Sequence, residues 1–261
     1  MYSRWKVQWT ALLGEAVTRP GMLLEAYSRF HGYSIGNQVA ALSQCLARGI
    51  EPGPLASFTK WKELGRSVKS GEKAIWLCMP FAIVKPREPD DPNSEIVSYR
   101  HFIWKPRWFV LSQTEGKPYE PEPIPSWSKE QALEKLGIKE VPFAELDGNV
   151  QGYANGRAIA VSPLAEVPSK TLFHELGHVL LGHTQEGETR EGADLPMSLR
   201  EAEAECVALI CSDALGLPGA DFCRGYIQHW YGLGNPIPEA SAMRIFGEAD
   251  AIVRAGRIEN S

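Results

Sequence analysis

The stretch His174-Glu175-Leu176-Gly177-His178-Val179-Leu180-Leu181-Gly182-His183 decides how the second half of this chain is interpreted. It contains His-Glu-x-x-His inside an apolar run with helical spacing. Positions four apart lie on one face of a helix, so His174 and His178 can direct ring nitrogens at the same metal ion. Glu175 then lies beside the ion, where a carboxylate can take a proton from an activated water. The pattern predicts a zinc site with Glu175 as the catalytic base.

A catalytic zinc needs a third protein ligand, and an acidic segment downstream offers candidates. Glu201, Glu203 and Glu205 lie in a segment predicted to be helical, on which Glu201 and Glu205 share a face that Glu203 does not. Glu205 borders the apolar part of this helix, where an unpaired carboxylate is costly, so it is the preferred ligand. Glu201 is the alternative ligand or an orienting partner for a histidine. A solvated acidic helix start is the interpretation without a metal.

His183 is predicted to lie outside the metal shell. It follows His178 by five residues, about 140° around a continuing helix, and comes directly after Gly182, a predicted helix end. The long motif with a third histidine ligand requires a spacing of six. We therefore expect His183 at the helix end or in the wall of the cleft.

Composition limits the class of protein. The chain has 261 residues, 44% of them hydrophobic, which is enough for two domains with their own cores. No apolar run approaches the ~18 residues of a membrane span, and residues 1–9 lack the apolar segment of a signal peptide. The five cysteines form no Cys-x-x-Cys pair, which is typical of buried thiols in a reducing compartment. We expect a cytoplasmic protein without a membrane partner.

Charge and tryptophan content divide the chain in two. Residues 1–120 hold 16 Lys+Arg and 11 Asp+Glu, a net charge of +5, and the rest of the chain has a net charge of -10. Six of the eight tryptophans also fall in the first 120 residues. The proline-rich segment 117–126 indicates an extended linker. We predict an α+β fold in two domains: an α+β domain at 1–120, a proline-rich linker at 121–140 and a mainly helical domain at 141–261.

Local patterns predict the elements within these domains. Helices are expected on both sides of residues 31–34, and strands at 74–80, 98–104 and 108–111, with a hairpin loop at the acidic, proline-rich stretch 86–93. In the second domain, a strand at 156–163 precedes a helix at 170–181, with Ser169 as its cap. A last helix is expected at 239–256.

Basic and aromatic residues alternate between positions 57 and 76. The candidates for contact with nucleic acid are Lys60, Trp61, Arg66, Lys69, Lys73 and Trp76. In single-stranded DNA complexes, cations follow the phosphates while rings stack on bases, at about 1–3 kcal/mol per base. The alternative is structural, because a tryptophan at strand spacing often belongs to the core and lysines often only solvate a surface.

These motifs together resemble ArdC-type antirestriction proteins. Residues 170–183 and the helix at 201–211 are similar to the zincin-like metallopeptidase domain of that family. Its N-terminal single-stranded-DNA-binding domain is resembled by Asn37-Gln38, Ser57-Phe58, Trp61, Leu64-Gly65-Arg66, Val68, Gly71-Glu72-Lys73 and Ser112-Gln113-Thr114.

The resemblance implies a protein of a mobile element that binds single-stranded DNA and protects incoming DNA against restriction. It also implies a zinc metallopeptidase activity on a protein substrate, such as a restriction or repressor protein. The alternative function is single-stranded-DNA binding, with a zinc domain that is structural or binds a partner and has no peptidase activity.

Overall fold

The computed structural model describes residues 8–86, 96–145, 147, 149–184 and 195–258. The loop predicted at 86–93 lies outside these residues, apart from Pro86. The helices in chain order are α1 (Trp9–Thr18), α2 (Met22–Phe30), α3 (Ile35–Ala47), α4 (Phe58–Glu63), α5 (Lys129–Leu136), α6 (Pro168–Leu180), α7 (Met197–Leu215), α8 (Ala220–Gly232) and α9 (Glu239–Ala255). The strands are β1 (Leu55–Ser57), β2 (Arg66–Val68), β3 (Ile75–Pro86), β4 (Ile96–Val110), β5 (Thr114–Gly116), β6 (Ser126–Trp127), β7 (Lys139–Glu140), β8 (Gly152–Asn155), β9 (Ala158–Val161) and β10 (Arg257–Ile258).

Internal packing divides the described residues into two compact units, one of residues 40–121 and one of residues 8–39 with 122–258. The first unit is built on antiparallel strands in the order β1-β4-β3, with β2 paired separately to β5. The second unit is mainly helical. This mixture of helices and sheets confirms the predicted α+β fold class.

One strand, β4, replaces the two strands predicted at 98–104 and 108–111. The gap between the two predicted strands contains Pro106, which has no N–H group to donate to a neighbouring strand. In the structure Ile75 pairs with Trp108 and Trp76 pairs with Pro106, so Arg107 is an extra residue on β4. A bulge of this kind is where a central strand tolerates a proline.

The second unit is organised around α7. From Ala202 to Ala214 every residue of this helix is buried, as expected for a helix that is apolar on nearly all sides. Helices α2, α6, α8 and α9 all pack against it. The three carboxylates within this buried segment, Glu203, Glu205 and Asp213, therefore need partners.

Helices α1 and α2 pack in this second unit, whereas the sequence prediction placed them in the first domain. Glu239, at the start of α9, accepts hydrogen bonds from the backbone N–H groups of Trp9 (2.7 Å) and Thr10 (3.0 Å). Asp213 of α7 accepts from the N–H of Leu23 at 3.2 Å. Helix α5 lies in the range predicted as linker. These helix-end contacts span about two hundred residues, so no local pattern reports them.

A small sheet with the order β7-β9-β8 precedes α6. Strand β9 corresponds to the strand predicted at 156–163 and is paired on both sides, which leaves β8 at an edge of this sheet. Pro168 occupies the first turn of α6, where its fixed φ suits the helix. The prediction that Ser169 caps this helix is wrong. Val167 occupies the N-cap position, and the Ser169 hydroxyl donates to the Pro218 carbonyl at 2.9 Å.

The structure also describes the environment of the cysteines and the length of the apolar helices. The five cysteines are all buried and free, as expected for thiols outside a disulfide framework. Over the described part of the chain, none of the helices combines the length and the apolar character needed to cross a membrane.

Candidate metal centre and nucleic-acid surface

The site begins with a close crossing of α6 and α7. A Cβ atom built on Gly177 would lie 3.2 Å from the Ala204 Cα and 3.3 Å from the Ala204 carbonyl oxygen. Contacts this short are tighter than most Cβ contacts, so glycine at this position favours the close approach of the two backbones. The crossing point lies between His174 and His178 on one helix and between Glu201 and Glu205 on the other, so these side chains meet.

Two imidazoles and one carboxylate converge at this crossing. The Nε2 atoms of His174 and His178 are 3.1 Å apart, and Glu201 oxygens lie 3.3 Å and 3.5 Å from them. Among the described residues, these three side chains form a group whose donor atoms all lie within 4.8 Å of one another. Two imidazoles and a carboxylate are a donor set that divalent zinc accepts while keeping one coordination position open.

Glu205, the preferred third ligand in the sequence analysis, does not reach this point. Its Oε2 lies 2.8 Å from Nδ1 of His174, on the side of the ring opposite Nε2. Its Oε1 pairs with the Lys170 ammonium at 3.2 Å. Its burial does require partners, and these are a histidine N–H and a lysine. The structure thus places Glu201 among the donors and Glu205 behind His174 as its orienting group.

The pKa shifts follow from these contacts. Burial lowers the pKa of His174, but hydrogen bonds to Glu201 and Glu205 outweigh it and raise the pKa to about 9. Hydrogen bonds from His174 and His178 hold the pKa of Glu201 well below its usual range. Without a metal, His174 is therefore protonated near neutral pH and bridges the two carboxylates.

Glu175 lies beside the convergent donors and is buried. Burial raises the pKa of its carboxyl group, which favours a group that exchanges protons near neutral pH. A cleft of about 380 Å³ opens onto Glu175, His174, His178 and Glu201. Gly152 and Ala154 of the edge strand β8 form part of the wall of this cleft.

His183 has a role that the sequence analysis did not find. Gly182 ends α6 in a left-handed conformation (φ 80°). The N–H of Gly182 bonds to the Val179 carbonyl and the N–H of His183 to the His178 carbonyl, at 3.3 and 2.9 Å. This is the Schellman pattern, in which the second residue after the C-cap, here His183, folds back onto the last turn of the helix. The His183 Nδ1 comes within 3.0 Å of Nδ1 of His178.

Glu203 completes a chain of contacts behind His178. Its side chain is fully buried, and its Oε2 lies 2.9 Å from Nε2 of His183. Arg244 of α9 donates to its Oε1 at 2.8 Å. Glu203 is thus separated from the three donors and is not a ligand candidate in this geometry.

In the first unit, two of the predicted nucleic-acid residues have structural roles. The Trp61 side chain is 1% exposed, and its Nε1 donates to the Phe109 carbonyl at 2.7 Å. Its ring packs edge-on against Tyr119. The Arg66 guanidinium donates to the Thr114 hydroxyl and carbonyl, at 2.8 and 3.0 Å, and to the Lys117 carbonyl. Trp61 therefore has no ring face open to a base, and Arg66 fixes the β2–β5 pair.

Comparison with known proteins adds to this geometry. Residues 3–105 match the family model described as the N-terminal domain of anti-restriction factor ArdC. The chain has the ArdC fold. The metal-free structure of the antirestriction ArdC protein from the R388 plasmid is 19% identical and matches 95% of this chain and 94% of that chain, with a TM-score of 0.53. Its Mn(II)-bound structure is 18% identical and matches 95% and 97% of the two chains, with a TM-score of 0.52. A search of curated proteins finds no match.

The resemblance to ArdC-type proteins seen in the sequence is thus supported by the family model over residues 3–105 and by the shared fold over 95% of the chain.

Within the matched ArdC N-terminal domain, the remaining predicted residues lie near the surface. Lys60, Lys69 and Lys73 are exposed; Lys60 pairs with Glu63 at 3.3 Å, and the Lys69 ammonium donates to the Ser112 carbonyl at 2.8 Å. Trp76 is half-buried.

One face of the β3–β4 pair presents aromatic residues that the sequence analysis did not select. Trp104 pairs with Cys78, and Phe102 pairs with Pro80, so both share a face with Trp76. Trp76 and Trp104 are half-buried, and Phe102 is 54% exposed. The period-two alternation of β4 carries this signal, but it becomes readable only when the register with β3 is known.

Proposed function

We propose that this ArdC-type chain is an antirestriction protein that binds single-stranded DNA through its ArdC N-terminal domain and has a zinc-dependent peptidase site in its second unit. The observation that carries the enzymatic part is the convergence of His174, His178 and Glu201 beside the buried Glu175. The Mn(II)-bound structure of the similar protein supports binding of a divalent ion by this fold.

The proposed ligands are the Nε2 atoms of His174 and His178 and a Glu201 oxygen. When bound, the ion supplies Lewis-acid activation of water and of a scissile carbonyl. Glu175 accepts the proton of the attacking water and passes it to the leaving amine, which is why its carboxyl group must be close but not ligating. Glu205 holds the His174 ring in place through Nδ1.

Substitution of Glu175 tests the peptidase proposal. The Glu175→Gln variant keeps the ligands, so it is expected to bind zinc like the parent but to lose hydrolysis of a degenerate decapeptide library followed by mass spectrometry. Glu248→Gln serves as a matched control on α9. Undiminished cleavage by Glu175→Gln contradicts the assigned base.

The stacking surface proposed for single-stranded DNA consists of Trp76, Trp104 and Phe102, with Lys69 and Lys73 as candidate cations in the same unit. Aromatic rings on one sheet face match the way single-stranded-DNA-binding domains hold bases. Gel shifts with single- and double-stranded oligonucleotides, on zinc-loaded and chelated protein, test this assignment. Preference for single strands that does not change on chelation is the expected result, and preference for duplex DNA contradicts it.

A second candidate function is single-stranded-DNA binding with a zinc domain that is structural or binds a partner. The burial of α7 from Ala202 to Ala214 and the packing of four helices around it favour a domain that serves as a stable scaffold without catalysis. The two functions differ in cells: if protection of incoming DNA survives Glu175→Gln but fails for Phe102→Ala/Lys73→Ala, this second function is correct.

A further inference from the structure

The two candidate histidine ligands are oriented by different hydrogen-bond partners. The Nδ1–H group of His174 donates a hydrogen bond directly to the carboxylate of Glu205. His178 instead contacts a second imidazole, His183, which contacts Glu203. The His183 and Glu203 side chains are almost completely buried, 2% and 0% exposed, so solvent does not compete for these hydrogen bonds.

The donor and the acceptor of each hydrogen bond in this series of contacts follow from its buried end, the Arg244–Glu203 pair. The ion pair with Arg244 holds Glu203 as a carboxylate, and both oxygens of a carboxylate can only accept hydrogen bonds. The Nε2 atom of His183 must then carry a proton and donate it to Glu203. In a neutral ring the other nitrogen, Nδ1, has a free lone pair and accepts. The only donor within reach of it among the described contacts is Nδ1–H of His178.

We propose that Glu203 and His183 form a relay that fixes His178 in the tautomer with its proton on Nδ1, leaving the Nε2 lone pair for the metal. This inference rests on the metal site of the proposed function and adds two positioning residues, neither of which is a ligand. Arg244 anchors the relay on α9, and the Schellman end of α6 brings His183 to His178. The ring pair, with centroids 5.1 Å apart, occupies the position where this motif usually has an apolar contact.

The relay predicts opposite effects for similar substitutions. In Glu203→Gln the amide must turn its carbonyl to Arg244, so its NH₂ group faces His183 and reverses the relay. The proton of His178 then moves to Nε2, where it blocks the metal. His183→Ala removes the acceptor, whereas His183→Asn retains a carbonyl oxygen near the position of Nδ1.

Cobalt(II) titration of the full chain, followed by its visible absorption, measures these effects. His183→Ala and Glu203→Gln are expected to weaken binding about tenfold or more, and His183→Asn should stay close to the parent. His229→Ala, an exposed histidine of α8, and Glu134→Gln, an exposed glutamate of α5, are the matched controls and should bind like the parent. Thermal unfolding without metal verifies that each variant is folded.

The outcomes separate the relay from the metal site. If the parent binds cobalt(II) and His178→Ala does not, the site stands; folded His183→Ala and Glu203→Gln variants with parental affinity then overturn the relay alone. If the parent fails to bind, both proposals fall. Nitrogen-15 NMR of the metal-free parent gives a test independent of any variant: the relay requires the proton of His178 on Nδ1 and that of His183 on Nε2, and the opposite tautomers overturn it.

Discussion

The three glutamates of α7 have different partners because each lies at a different position along or around the helix. Glu201 faces the cleft, and its side chain is 36% exposed. Glu205, one turn further and 5% exposed, meets His174 and Lys170. Glu203, on another face, meets His183 and Arg244. Since a buried charge must be paired, each position in the helix decides which role its carboxylate can have.

The raised pKa of His174 predicts a pH dependence of metal binding. Its pKa of about 9 in the metal-free protein means that the ring is protonated below that pH and must lose a proton before Nε2 can bind a metal. Apparent zinc affinity should therefore rise as the pH increases from 7 toward 9 and level off above it. Calorimetric titration in buffers of different ionisation enthalpy should detect protons released at pH 7.5; absence of release contradicts the prediction.

Two aromatic residues of the first unit should respond differently to truncation. Phe102→Ala removes an exposed ring, so we expect weaker binding of a single-stranded oligonucleotide by about 1–3 kcal/mol and unchanged stability. Trp61→Ala creates a cavity and leaves the Phe109 carbonyl without its donor, so unfolding should become easier by about 3–5 kcal/mol. Fluorescence anisotropy and urea unfolding measure the two effects. Parental stability of Trp61→Ala contradicts its placement in the core.

At the scale of elements, the candidate metal centre depends on the distance between α6 and α7. That distance is short because Gly177 has no side chain where it crosses Ala204. The His-Glu-x-x-His pattern determines the phase of the histidines around α6, since positions four apart share a face. It contains no information on the helix that supplies the third donor.

Substitution of Gly177 tests this dependence against a matched glycine of α8. Gly225→Ala has open space around its new Cβ and should stabilise the protein by about 1 kcal/mol through helix propensity. Gly177→Ala has the same gain in propensity but contacts the α7 backbone, so it should gain less stability and bind zinc more weakly. Urea unfolding and zinc competition with a chromophoric chelator are the measurements. Equal behaviour of the two variants is inconsistent with a close crossing.

The second unit of the molecule depends on residues far from it in sequence. Helix α1 begins on the Glu239 carboxylate and α2 on the Asp213 carboxylate, so residues 8–39 cover surfaces of α7 and α9. We predict that a fragment of residues 122–258 does not unfold cooperatively by circular dichroism, and that added peptide 8–39 restores a cooperative transition. Parental unfolding of the fragment alone contradicts this prediction.

The sequence by itself determined the features that depend on neighbours along the chain. It placed His174, Glu175 and His178 on one helix, it delimited the last helix to within a residue of α9 (Glu239–Ala255), and it predicted the α+β fold class. Each of these follows from periodicity, caps or composition. The Schellman signal of Gly182-His183 was also present in the sequence and predicts that His183 returns to His178 once the helix is known to end there.

Only the tertiary structure decided which glutamate joins the histidines, which strand is the sheet edge beside the cleft, and which tryptophan is buried. Glu201 and Glu205 lie on the same face of α7, so the choice between them depends on where α6 crosses that face, at Gly177 and Ala204. A local pattern fixes the direction of a side chain from its own helix. The distance between two helices is fixed by packing over many residues, and that is what selects the donor.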